Sequence, residues 1–429
     1  MRYIPLNNSI YKRNRLNFMN QMKGNCMAIF NSNDIYPVSA DSELPFAQHR
    51  DMFHLAGIDQ EETILILYPS SKDSKTREIL FIRRSDEHTK IWEGEKLSKD
   101  LASKLSGIES IHFVEDFKNI LHLITSKVDT FYINKNEHYR ANSPVETRED
   151  RFISWLLKKY PAHKVAKSNP ILQRLRSIKH IDEIDQIRKA CQITKKGFNR
   201  VLKFIKPDIW EYQIEAEFIH EFINNSSKGF AYSPIIASGQ DNNVLHYVKN
   251  NKQCKDGELI LMDVGAEYGN YSSDMTRTIP VSGHFSKRQK EIYNTVLRVK
   301  NEATKLLTVG NNWKNFHDQV GEIMTKELLD VNLLDKADIK NQTKKNPAYK
   351  KYFMHGTSHH LGLDTHDYGL LEDIFQENMV FTVEPGIYIP EEGFGVRLED
   401  DVVIQTKGEP INLMEDIPIE TDHIEELMN

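Results

Sequence analysis

Cysteine is scarce in this 429-residue chain, and Cys26, Cys191 and Cys254 stand far apart with no C-x-x-C pair. That spacing excludes a disulfide framework and gives no zinc-thiolate site, so a reducing compartment is expected. No segment approaches the ~20 consecutive apolar residues of a membrane span. The amino-terminal stretch MRYIPLNNSIYKRNRLNFM is basic but lacks the apolar run of a signal peptide. These absences predict a cytoplasmic protein without a membrane partner. Neither charge sign dominates: 56 basic against 62 acidic side chains leave a net charge of -6, so no nucleic-acid polyanion is expected as a partner. Low-complexity tracts and short-period repeats are also missing.

What is present suggests two domains, since 429 residues exceed what one small core organises. In the first part, ETILILYP, REILFIRR and DTFYIN read as short buried strands and RFISWLLKKY as an amphipathic helix. This predicts a smaller α/β domain over residues 1–173, without His, Asp and Glu at ligand spacing, that shapes the substrate site or supports oligomerisation. The segment KSNPILQRLRSIKH is expected to be extended and to mark the boundary, with the second domain over 174–429. There Ile184, Ile187, Cys191, Phe198, Val201 and Ile205 recur at helical steps before Pro207, and a second helix is expected from about Tyr212 to Phe222. The order of two helices and an acid-bearing hairpin then repeats. Ser286 to Gln289 reads as a capping box opening a helix to about Leu307, another helix runs from about Trp313 to Leu329, and strands follow from Met379. Two α/β halves facing each other across a shared sheet are implied. The basic stretches DKADIKNQTKK and NPAYKKYF read as solvated loops.

Five residues carry the chemistry. In ELILMDVGAEYGNYSSDMTRT, a hairpin turning near Tyr268 to Asn270 sets Asp263 and Asp274 opposite or diagonally adjacent on one face. In FTVEPGIYIPEEGFGVRLEDD, a turn near Glu391 and Glu392 lets Glu384 and Glu399 share a face. Four buried carboxylates without partners would be driven toward protonation, whereas two divalent cations neutralise the set. His359 adds an imidazole. Oxygen ligands with one nitrogen and no thiolate favour manganese, ahead of cobalt or iron. Ions bridged by carboxylates would lie roughly 3.5 to 4 Å apart and share a hydroxide whose pKa falls toward ~7, which predicts metal-assisted hydrolysis. His246, His355 and His366 lie close in sequence to the ligands or to strand ends. One histidine among seventeen is usually structural, but three around the ligand motifs point to donors that stabilise an oxyanion or protonate a leaving nitrogen. Arg397, two residues before Glu399, shares its face and reads as a partner for a ligating carboxylate.

The stretches LHY, LMDVGAEY, DMTRTIPV, HGTSH-x-LGLD-x-HD, VEPGIYI and R-x-ED, in this order, resemble aminopeptidase P, the Xaa-Pro aminopeptidase branch of the pita-bread metallopeptidases. The resemblance implies an α/β (α+β) chain. Its carboxy-terminal pita-bread domain would have pseudo-twofold halves around a curved antiparallel sheet, preceded by the smaller α/β domain. It implies release of the first residue from peptides with proline second, and a homodimer or higher homo-oligomer. Asp263 would ligate one ion, Asp274 and Glu399 would bridge both, and His359 with Glu384 would complete the coordination of the second ion, Glu384 also acting as general base. His246, His355 and His366 would bind substrate and stabilise the transition state. Tyr232 in FAYSPIIASG, Asp51 in HRDMFHLAG and Trp92 in KIWEGEKL match family positions near the metals or bordering the substrate cleft. The residue after His359 is His360 where many relatives carry Trp, which implies a different wall for the proline pocket. A prolidase, cleaving only Xaa-Pro dipeptides, is the alternative, and a metal-free binding scaffold is a further one.

Overall fold

The computed structural model describes residues 2–135, 137 and 143–429. It divides into two units, Pro5–Arg176 and a second made of Ser177–Asn429 with the residues up to Ile4. The first unit is built on a six-stranded sheet in the spatial order Ser110–Phe113, Glu78–Ile82, Ile64–Leu67, Cys26–Asn31, Thr130–Ile133, Lys164–Lys167. Its apolar runs are continuous because both faces are covered. Ala28, Phe30, Leu65, Leu67, Leu80 and Ile82 pack to one side with Phe18, Met52 and Leu55 of the helices Ser9–Gln21 and Arg50–Ala56. The alternate residues Met27, Ile29, Ile64, Ile66, Ile79 and Phe81 pack to the other with Phe117, Leu121 and Leu156. Period-two alternation thus feeds two cores from one set of strands.

The expectation of extended chain across KSNPILQRLRSIKH is overturned, because Asn169–Ser177 is a helix. Pro170 falls in its first turn, where the missing N–H breaks no helical bond, and Leu172 is fully buried. The basic stretches also differ from solvated loops. Asp335 caps a short helix, Lys336–Asn341, by accepting from the N–H groups of Ala337 and Asp338, and Ala348–Lys351 forms a 3₁₀ turn.

In the second unit, a capping box at His180 and Glu183 opens the helix Ile181–Phe204, and Glu211–Asn224 follows it. The strand Leu259–Val264 lies between Ile235–Ser238 and Met275–Pro280, antiparallel to both. The second half repeats the order. Ser286 and Gln289 form the expected capping box of Lys287–Leu306, Trp313–Asp330 comes next, and Val380–Val383 then pairs antiparallel with Asp400–Val403. A bridge between Thr276 and Glu399 joins the hairpins of the two halves. On the opposite side of these strands Arg277 is fully buried. It donates to the carbonyls of Glu399 (2.7 Å) and Pro418 (3.0 Å) and to Asp400 (2.7 Å), which also meets Lys300. Burial opposes ionisation of Asp400, yet Arg277 and Lys300 hold its carboxyl below the usual range. This charged clamp fastens one half to the other from behind.

Candidate metal centre

Each ligand-bearing hairpin keeps its register but interrupts its ladder at the acidic residues. In the first, Asp263 pairs with Thr276 and Val264 with Met275, so Asp274 lies diagonally from Asp263 on the same face. Gly269 and Asn270 both have positive φ, +60° and +70°, and close the Tyr268–Tyr271 pair as a two-residue turn matching strand twist. The ladder breaks at Gly265, where an added Cβ would meet the Ser273 carbonyl oxygen at 1.8 Å. In the second, Val383 pairs with Asp400 and Gly386 with Arg397, which sets Glu384 opposite Glu399 in the same register. Pro385, which has no N–H to give, interrupts that ladder. The chain returns through Pro390 to Gly393, with Gly393 at φ +77°.

These breaks turn acid side chains into one patch. The Tyr232 hydroxyl lies 2.6 Å from Asp263 Oδ1 and 2.5 Å from Asp274 Oδ1. His359 Nε2 lies 3.4 Å from Asp274 and 3.7 Å from Glu384. Glu399 accepts from the Thr276 hydroxyl at 2.6 Å, and potential ligand atoms of Asp274, His359 and Glu399 all lie within 4.8 Å of one another. His359 Nδ1 faces the His360 carbonyl at 2.9 Å, which assigns the proton there and turns the Nε2 lone pair toward Asp274 and Glu384.

The electrostatics of the patch are those of a cation site. Burial, reinforced by Asp263, pushes the Asp274 carboxyl well above its ordinary pKa; burial with Asp274 does the same to Glu399. Glu384 is raised to about 7, again by burial first, with His359 and Arg397 opposing. Tyr232 stays a phenol, held up by burial and by Asp263 and Asp274. Its single proton cannot serve both carboxylates fully at once. Four carboxylates and one outward-facing imidazole nitrogen therefore fit divalent metal, and the stored repulsion is what such ions would relieve.

Around the acids, Arg397 donates to Asp263 Oδ2 (2.5 Å), to the Tyr388 hydroxyl (3.0 Å) and to Thr276 (3.2 Å). Burial alone would lower its pKa, but Tyr388, Asp263, Glu399 and Glu384 push it above the ordinary value. His355 lies 4.0 Å from Glu384, with Nε2 at 2.7 Å from the Tyr388 hydroxyl and Nδ1 at 2.7 Å from the Gly356 carbonyl. Burial, then Arg397 and His246, lower its pKa to about 3, so the ring is neutral. The His366 ring centroid is 3.9 Å from that of His359, and His246 is exposed in a turn.

Asp51 and Trp92 belong to the first unit. Asp51 is fully buried, paired with Arg176 (2.8 Å) and accepting from Asn134 (3.1 Å), while Trp92 is 75% exposed at the end of a short helix. His360 is 6% exposed and packs against Trp313 and Phe381.

Sequence reasoning passed over Tyr388, Thr276 and Asp401, although period two marks all three. Gly386 and Tyr388 follow Glu384 on its face, and an added Cβ on Gly386 would meet the Tyr388 hydroxyl at 2.7 Å. Thr276 follows Asp274. Asp401 follows Glu399 and is fully buried; it accepts from the Asp274 N–H (3.0 Å) and from Cys191 (3.4 Å), fixing the backbone under a ligand.

Residues 185–406 match Metallopeptidase family M24, and residues 11–132 match Aminopeptidase P, N-terminal domain. Xaa-Pro aminopeptidase of Escherichia coli is 32% identical over 97% of this chain and 97% of its own length. Human Xaa-Pro aminopeptidase 3 is 32% identical over 92% of this chain and 79% of its own. Among solved structures, zinc-substituted E. coli aminopeptidase P in complex with product superposes with a TM-score of 0.89 at 30% identity, covering 99% of both chains. Proline aminopeptidase P II from Yersinia pestis gives the same TM-score, identity and coverage.

Proposed function

Because the chain belongs to metallopeptidase family M24 and is a metal-dependent aminopeptidase of pita-bread fold, we propose that it releases the first residue of peptides with proline in the second position. The observation that carries this reading is the convergence of Asp263, Asp274, His359, Glu384 and Glu399 on one buried face beside Tyr232 and Arg397. These five would hold two divalent ions, which we assign as manganese from the oxygen-rich donor set. When bound, such ions polarise a carbonyl and make water acidic enough to attack at neutral pH.

The chain's own residues do the rest. Asp274 and Glu399, at the seam between the halves, would be among the residues that hold the ions. Glu384, made more basic by burial, takes the proton of the attacking water and passes it toward the leaving proline nitrogen. Arg397 holds Asp263 in orientation and keeps the Tyr388 hydroxyl against His355. Neutral His355, its Nδ1 proton held by the Gly356 carbonyl and its Nε2 accepting from the Tyr388 hydroxyl, adds no second charge beside the substrate carbonyl and leaves donation there to His246 and His366. An Xaa-Pro bond offers no N–H, so recognition must come from ring shape and from such donors.

No described helix is long and apolar enough to cross a membrane. The three cysteines are free and buried, which supports a reducing, cytoplasmic setting; the Xaa-Pro aminopeptidase reading also carries the expectation of a homo-oligomer. The test is a digest of Xaa-Pro-Yaa-Zaa and Xaa-Pro peptides with manganese added or chelated. Release of free Xaa from the longer peptide, abolished by chelator, is expected. Cleavage of the dipeptide alone would make it a prolidase instead.

A further inference from the structure

The helix Trp313–Asp330 and the segment from Gln342 to Thr357 enclose a groove of about 1070 Å³ that ends at His355, Gly356 and Thr357. That end lies beside Glu384, which donates its N–H to the Thr357 carbonyl at 2.8 Å and whose carboxylate is 4.0 Å from His355. Tyr349, Phe353 and Met354 give the groove an apolar lining. Its rim is basic: Lys314, Lys326, Lys344 and Lys350 stand against two acids, Asp318 and Glu322. Asp318 is already committed, accepting from Lys314 at 2.7 Å and held below the usual carboxylate range by Lys314 and Lys344. Lys326 and Lys350 make no ion pair among the described residues.

We propose that this groove binds the part of the substrate downstream of the proline, and that its lysines select peptides with acidic side chains there. The inference rests on the Xaa-Pro reading and names the substrate class within it. An extended peptide advances at most ~3.6 Å per residue, so a chain leaving the centre past His355 carries its next few side chains along the lysine rim. The whole molecule has a net charge of -6, so its overall field repels acidic peptides and only a local basic surface can favour them. The apolar lining takes the peptide's stems, and the cations meet its carboxylates at low dielectric cost near the rim.

The experiment uses the manganese-loaded full chain with Ala-Pro-Ala, Ala-Pro-Ala-Glu-Glu and Ala-Pro-Ala-Lys-Lys. At low ionic strength the KM for the glutamate peptide should lie about five- to tenfold below that for the lysine peptide, and half-molar salt should erase the difference. Lys344→Glu/Lys350→Glu should reverse the preference between the glutamate and lysine peptides. Lys72→Glu/Lys407→Glu, two exposed lysines that do not line the groove, should keep the wild-type preference. Cleavage of Ala-Pro-Ala with no charge preference, or a preference that survives the Lys344→Glu/Lys350→Glu reversal, overturns the groove alone. No cleavage of Ala-Pro-Ala overturns the substrate reading and the groove with it.

Discussion

Glu384 is the side chain on which two demands meet. It faces His359 at 3.7 Å as a ligand would, and burial makes its carboxyl a stronger base than an exposed glutamate. Glu384→Gln keeps the shape and one oxygen while removing the charge and the proton acceptor. The expected outcome is a folded protein whose kcat falls by a factor on the order of 10³. Circular dichroism melts beside steady-state turnover check it, and activity within threefold of wild type would remove Glu384 from the role of base. Around it, legibility from sequence followed chemistry. Asp263, Asp274, Glu399 and His359 stood out because carboxylates and imidazole are costly in apolar strands. Tyr388 and Thr276 did not, because a tyrosine or threonine in a strand is ordinary, and only their hydrogen bonds to Arg397 and Glu399 give them away.

The hairpins were legible as elements because their apolar periodicity and turn residues agree. Gly269 and Asn270 are the residue types that accept positive φ, and the turn falls where they stand. The helix Asn169–Ser177 was not, since a proline one residue into a helix and a proline in extended chain look alike until the burial of Leu172 is known. Nor was the short helix at Lys336–Asn341, whose capping aspartate is masked by a run of lysines. The break in each ligand hairpin is the least legible feature and the most useful one. At Gly265 the Ser273 carbonyl comes so close that no Cβ fits, and this approach sits between Asp263 and Asp274. Gly265→Ala should therefore separate the two strands, costing roughly 2–4 kcal/mol of stability. It should also weaken metal binding at least tenfold, since the spacing of two ligands changes together. Thermal melts of the chelated protein and calorimetric manganese titration measure the two effects. Loss of stability with metal affinity intact would show that the approach serves packing alone.

At the scale of the whole molecule, the two halves of the second unit are fastened by opposite devices on the two faces of one set of strands. Behind, Arg277 and Lys300 neutralise Asp400 with the protein's own cations. In front, Asp274, Glu384 and Glu399 share too little positive charge, and burial drives all three carboxyls upward. The cations missing from that balance are the ones a metalloenzyme takes from solution, so folding stability and metal binding are linked through these acids. The sign follows from the direction of the shifts. A carboxyl whose folded pKa lies above its unfolded value of about 4.3 contributes its full stability below that value. It loses that contribution as pH rises through the folded value, about 7 for Glu384. The chelated protein should therefore melt at progressively lower temperature between pH 5 and pH 8. Manganese reverses the preference by favouring the ionised acids, so the loaded protein should hold its melting temperature over the same interval. At a fixed free manganese concentration near a hundred times the dissociation constant at pH 6.5 the difference should be about 2.7 kcal/mol there, and it should widen as the dissociation constant falls with rising pH. Melting curves with and without chelator at pH 5.5, 6.5 and 7.5 make the measurement. A stabilisation by manganese that is constant, or shrinks, as pH rises would mean that the frontal acids are not the groups that couple the metal to the fold.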